Sequence, residues 1–122
     1  MAIDRQAATL PPLPTAEIDV PEIGGTVTVR SLLLTERLDL SRTRAADAVP
    51  KTGETDEDAI ARASRAAVIR TLAMVVLASD GKPLWSGPQW DQFGAVHLLP
   101  ALTLFNEAMR LSGADIEGER KN

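Results

Sequence analysis

Between Asp56 and Ala78 the sequence carries a helix whose second half is apolar on almost every side. Ile60 and Ala67 begin a stripe at helical spacing, and Val68, Ile69, Leu72, Val75 and Val76 continue it. Met74 and Leu77 lie off that stripe, so the C-terminal half has to bury two faces. The chain has 122 residues, enough for one modest core and not two. Thr55 is the expected N-cap, with Glu57 and Asp58 in the first turn. Ser79-Asp80-Gly81 is the expected end, Gly81 taking the left-handed conformation that helix ends use.

The other elements are read around this helix. Residues 1–15, with Pro11, Pro12 and Pro14, predict a flexible extended arm. Ile18 and Val20, then Val27 and Val29, alternate with polar residues on either side of PEIGG, which predicts a hairpin over 16–31. A lone hairpin is marginal in water, so it has to lean on a helix. Thr35 is a plausible N-cap for a helix over about 35–48, with a thin apolar face at Leu34, Leu38, Ser41, Ala45 and Ala48 and Pro50 as its stop. A short helix over 87–96 and a last one over 99–112 follow, Pro100 in the first turn and Gly113 after the end. Residues 114–122 predict a charged, frayed tail. The expected fold class is mainly α with an N-terminal β-hairpin (α+β): one domain over 16–113, a small bundle of about four helices.

The last helix is apolar on two rows. Leu98, Leu102, Phe105 and Met109 form one, and Ala101, Leu104, Ala108 and Leu111 form a second on roughly the opposite side. Two apolar rows mean a helix sandwiched in its own core or one that docks something. The second row, with Met74 and Leu77, is the candidate partner-binding surface.

Catalytic chemistry has little to stand on. No cysteine is present and His97 is the single histidine. It lies among apolar residues in AVHLLP, the setting of a half-buried histidine bonded to a backbone carbonyl rather than of a general base. Asp80 reads as turn chemistry. Glu54, Asp56, Glu57 and Asp58 read as partners of a helix N-terminus, without the interleaved ligands and glycine of a calcium loop. No catalytic, cofactor or metal site is expected, and no enzyme. The net charge is −4, which repels phosphate, and Arg62 is expected to pair with Asp58 one turn earlier. Nucleic acid is therefore not an expected partner. The longest apolar run, Leu72 to Ala78, is far short of a bilayer span, so neither is a membrane.

Only 3% of residues are aromatic, yet Trp85 and Trp90 fall in one short loop. Ser86 and Gln89 have capping-box spacing, which makes Trp85 the N′ residue and Trp90 the N4 residue of the following helix. The expected role of the pair is a hydrophobic staple that fixes the angle at which the chain enters that helix.

Taken in order, the hairpin ending VTVRSL, the helix starting TERLDL, the stretch VVLASDGKPLW, the segment WDQFGAVHLLPALTLFNEAMRLSG and the tail ending ERKN resemble the small tail assembly chaperones of long-tailed bacteriophages and prophages. The resemblance covers about Glu17 to Asn122. It implies a helical, non-enzymatic protein of the bacterial host cytoplasm that binds the tape measure protein and the tail tube subunits during tail assembly. It also implies absence from the finished virion. Two alternatives stay open: a structural tail or head–tail connector protein retained in the particle, and a small DNA-binding regulator using its arginine-bearing helices.

Overall fold

The computed structural model describes residues 2–113. Its elements in chain order are β1 (Thr15–Val20), β2 (Gly25–Arg30), α1 (Leu34–Asp47), α2 (Asp56–Val75), β3 (Val76–Leu77), α3 (Gly87–Val96) and α4 (Leu98–Leu111). The predicted tail at 114–122 lies outside the described residues. Residues 2–14 form no helix or strand, only a turn at 5–7.

The alternation around PEIGG folds as a hairpin. β1 and β2 pair antiparallel from Thr15 opposite Arg30 to Val20 opposite Gly25. The turn closes with the Val20 carbonyl accepting from the N–H groups of Ile23 at 2.9 Å and Gly24 at 3.1 Å. Gly24 has φ 101°, a conformation that costs glycine little and other residues more. Val27 and Val29 point to one face and both are buried.

The long helix ends earlier than expected. It stops at Val75, and Val76 and Leu77 form a strand beside β2, with Val29 opposite Val76 and Thr28 opposite Leu77. The cause is the open edge of β2. Its unpaired backbone groups need partners, and a run of Val and Leu satisfies a strand as well as a helix. Ser79-Asp80-Gly81 is then the tip of a tight return, not a helix end. The Ala78 N–H donates to the Lys82 carbonyl at 2.8 Å and the Leu84 N–H to the Val76 carbonyl at 2.9 Å. Gly81 does take the left-handed conformation, φ 81°.

The sheet order is β1-β2-β3, and α2 and α4 pack on it while α3 bridges those two helices. Val29, Leu72, Val75, Val76, Trp90 and Leu104 are almost wholly enclosed and form the centre of the core. On α2 the buried line runs through Ala59, Ala63 and Ala67 into Thr71, Leu72 and Val75. Ile60, expected to start the stripe, is 55% exposed. The line departs from the expected stripe at its start, where Ala59 and Ala63 are buried in place of Ile60, while Ala67, Leu72 and Val75 belong to both.

Helix α1 also begins differently. Leu33, not Thr35, is its N-cap residue, and Glu36 accepts from the Leu33 N–H at 2.8 Å. The same carboxylate receives both guanidinium arms of Arg30, at 2.8 and 2.9 Å. This hydrogen bonding holds Glu36 below the usual carboxylate range, although partial burial opposes it. The face of α1 toward α2 is Glu36, Leu40, Thr43 and Asp47, each half-buried; Leu34 and Leu38 point outward. Arg62 reaches back to Glu54 at 2.9 and 3.1 Å rather than to Asp58. That bond, with the Lys51 N–H, lowers Glu54 from 4.5 to about 2.

Candidate partner-binding surface

The loop ahead of α3 sets the geometry of the apolar surface. Trp85 and Trp90 meet edge to face with ring centroids 4.7 Å apart, the contact a staple requires. Phe93 joins them, 5.2 Å from Trp85 and 5.5 Å from Trp90. Gln89 Oε1 accepts from the Ser86 N–H at 2.9 Å, and the Ser86 hydroxyl donates to the same oxygen at 3.2 Å. Gly87, at the first position of α3, lies against α2: a Cβ there would meet Ile69 at 3.3 Å. The staple and this close approach fix where α3 runs. Trp90 is buried, and among the described residues its indole N–H has no hydrogen-bond partner.

The candidate row on α4 is not a surface. Ala101, Leu104 and Ala108 are buried in the core, and Leu111 is half-buried against it. Phe105 and Met109 of the other row also pack on the core. The two rows are adjacent rather than opposite. At ~100° per residue, Ala101 and Phe105 are only about 40° apart, so the rows merge into one broad apolar face. Met74 is half-buried in a cleft of about 410 Å³ between α1 and α2. Leu77 is half-buried in β3, bridged to Pro83. The six candidates therefore do not form one exposed patch.

Besides the arm and the single residues Val49 and Ile60, exposed apolar side chains lie near one another in sequence in two places. On α1, Leu34 is 70% and Leu38 61% exposed. At the junction of α3 and α4, Val96 is 72%, Leu98 60% and Leu99 75% exposed. His97 alone separates these helices, and its N–H donates to the Phe93 carbonyl at 2.7 Å. Its ring lies 5.2 Å from Phe93 and, among the described residues, makes no hydrogen bond to a backbone carbonyl. His97, at φ −128° and ψ 69°, breaks the helix into two at this corner, and Val96, Leu98 and Leu99 on either side of the break stay exposed.

Each of these three side chains borders a separate depression. One of about 380 Å³ includes Val96, Trp85 and Phe93 in its lining. A second, of about 260 Å³, lies among α2, α3 and α4 and includes Leu98. The third, of about 400 Å³, lies between the hairpin tip and the start of α4 and includes Leu99. The sequence signal for this patch is the run VHLLP across a helix break, which the count of stripes on a single helix does not weigh.

Among the described residues no three carboxylate or imidazole groups gather as a metal site requires, and no helix is long and apolar enough to cross a membrane.

A hairpin backed by four helices, with a short third strand leading out of the long helix, is the architecture these contacts define. The bacteriophage HK97 tail assembly chaperone has this fold: its structure matches 81% of this chain and 85% of its own, at a TM-score of 0.55 and 17% sequence identity. The sequence matches no family model and no curated protein.

Proposed function

We propose that this chain is a non-enzymatic tail assembly chaperone of a long-tailed bacteriophage or prophage. It binds the tape measure protein and the tail tube subunits in the bacterial cytoplasm while the tail is built. The observation that carries the reading is the fold shared with the HK97 tail assembly chaperone over most of both chains. The order of sequence segments from the hairpin to the charged tail supports it independently. So do the exposed apolar side chains of Val96, Leu98 and Leu99 at the α3–α4 junction, since apolar side chains exposed together mark interaction sites. The net charge of −4 suits a protein that must stay dispersed while presenting apolar side chains.

The test is co-expression with the tape measure protein of the same phage or prophage. The expected result is that the tape measure protein moves from the insoluble to the soluble fraction and co-purifies with this chain. An insoluble tape measure protein at equal expression overturns the reading. Mass spectrometry of purified particles separates the chaperone from a retained structural component: a chaperone is absent, a connector is present in stoichiometric amount.

A further inference from the structure

We propose that the α3–α4 corner is the face that takes the partner, and that it takes an amphipathic helix carrying basic residues beside its apolar row. This rests on the chaperone reading and names the surface and the chemistry it selects.

The relief of the corner suits a helix. Val96, Leu98 and Leu99 project, and each borders a different one of the three depressions. Alternating ridges and hollows accept the side chains that a docking helix presents at i, i+3, i+4 and i+7.

The charge around the corner selects the partner. Glu22 lines both depressions on the hairpin side, Asp19 lines one of them, and Asp91 lines the third. None of the three is in an ion pair among the described residues. Arg65 is the one lysine or arginine in the lining of the three depressions. Unpaired carboxylates ringing an apolar centre attract cationic side chains and repel anionic ones. The exposed leucines of α1 lack this bias: Asp39 next to Leu38 is paired with Arg42, the exposed Arg37 lies between the two leucines, and Glu36 is on the other face, paired with Arg30. A second copy of this chain is the wrong partner for the corner, because it brings a net charge of −4 to an acidic rim.

The experiment titrates the labelled chain, followed by NMR, with two synthetic helices of roughly eighteen residues, about five turns. Both have one leucine row; one is flanked by lysines and the other by glutamates. The leucine–lysine helix is expected to perturb Val96 to Leu99 and the hairpin tip. Its affinity is expected to fall as salt rises from about 0.05 to about 0.5 M, where screening shortens the reach of charge. Leu98→Asp with Leu99→Asp, and separately Asp19→Lys with Glu22→Lys, are each expected to weaken it by roughly tenfold or more. Leu34→Asp with Leu38→Asp is expected to change it by less than about twofold. Circular dichroism checks each variant, and the charge-reversed pair carries the test if the double leucine variant does not fold.

Perturbations centred on α1, equal affinity for the leucine–glutamate helix, or affinity unchanged in both corner variants would overturn the proposal. So would a concentration-dependent dimer of the free chain that Leu98→Asp with Leu99→Asp abolishes, which would assign the corner to a second copy. The two levels fail separately. Failed co-expression with intact helix binding at the corner removes the chaperone reading alone. Successful co-expression, with tape measure binding intact in both corner variants, moves the partner surface elsewhere.

Discussion

Helices α1 and α4 are each fourteen residues long, and the fold uses them in opposite ways. α4 buries Ala101, Leu104 and Ala108 and touches α2, α3 and both strands of the hairpin. α1 buries no residue and packs on α2 alone among the helices. What holds α1 is mostly polar: Arg30 to Glu36 at one end and Arg70 to Asp47, at 2.7 Å, at the other, with Leu40 between them packed against the core. The difference follows from sequence. TERLDLSRTRAAD leaves only a thin charge-free stripe, whereas LLPALTLFNEAMRL concentrates its apolar side chains on one broad face. Exposed leucines therefore mean different things on the two. Leu34 and Leu38 sit on a helix that is mostly polar, while Leu98 begins one of the apolar rows of α4 and Leu99 follows it at the same exposed end of the helix.

If packing holds α4 and charge holds α1, truncations should separate them. Leu104→Ala should cost about 2–5 kcal/mol, the range for a leucine deleted from a core, measured by denaturant unfolding. A cost under ~1 kcal/mol would place the residue at a surface.

Ser112→Ala comes next, at about 1–3 kcal/mol. Its Oγ accepts from the Leu32 N–H at 2.9 Å and donates to the Ala108 carbonyl at 2.7 Å. Removal leaves a buried amide unpaired and unties the end of α4 from the link between β2 and α1. The same unfolding measurement reads it.

The acid limb sharpens the polar side of the comparison. Arg62 holds Glu54 in the α1–α2 loop at about 2 instead of 4.5. A carboxylate lowered in the folded state contributes stability that is complete above its unfolded value and is lost as pH falls toward its folded value. The Glu54 contribution should therefore fade between about pH 4.5 and pH 2. Thermal unfolding of Glu54→Gln against the parent should show a gap at pH 6 that closes across this window. A gap that stays constant would mean that the Arg62 contact does not form in solution.

Smallest is Leu38→Ala, expected to stay within about 0.5 kcal/mol. A cost as large as that of Leu104→Ala would show that α1 buries its leucines and would erase the contrast.

Local chemistry made α3 readable from sequence. Ser86 and Gln89 mark its start, Trp85 and Trp90 have staple spacing, and both expected bounds match the helix. The hairpin is equally plain, because alternation on each side of Gly24 and Gly25 has no helical reading. Val76 and Leu77 are different. Their residue types suit strand and helix alike, and the decision lies with the open edge of β2, some 50 residues earlier in the chain. Cap placement at Leu33 rather than Thr35 rests on Glu36, three residues on, accepting from the Leu33 amide while Arg30 holds it; leucine has no side-chain oxygen, so a search for Ser, Thr, Asp or Asn caps passes over it. The proposed partner surface was least legible. Rows counted along α4 say which residues are apolar, but whether Leu104 or Leu98 is exposed depends on which neighbours reach over them. That is settled by the corner at His97 and by the hairpin beneath α4.

On the proposed function, α4 keeps its inner row closed while the corner in front of it meets the partner. Hydrogen exchange of the chain alone and mixed with the tape measure protein of the same phage or prophage tests this directly. Slow exchange at Leu104 and Ala108 that binding does not alter, with new protection at residues 96–99, is the predicted result. Fast exchange at Leu104 and Ala108 in the free chain, slowed only when the partner binds, would contradict it, because the inner row would then be the part that opens to the partner.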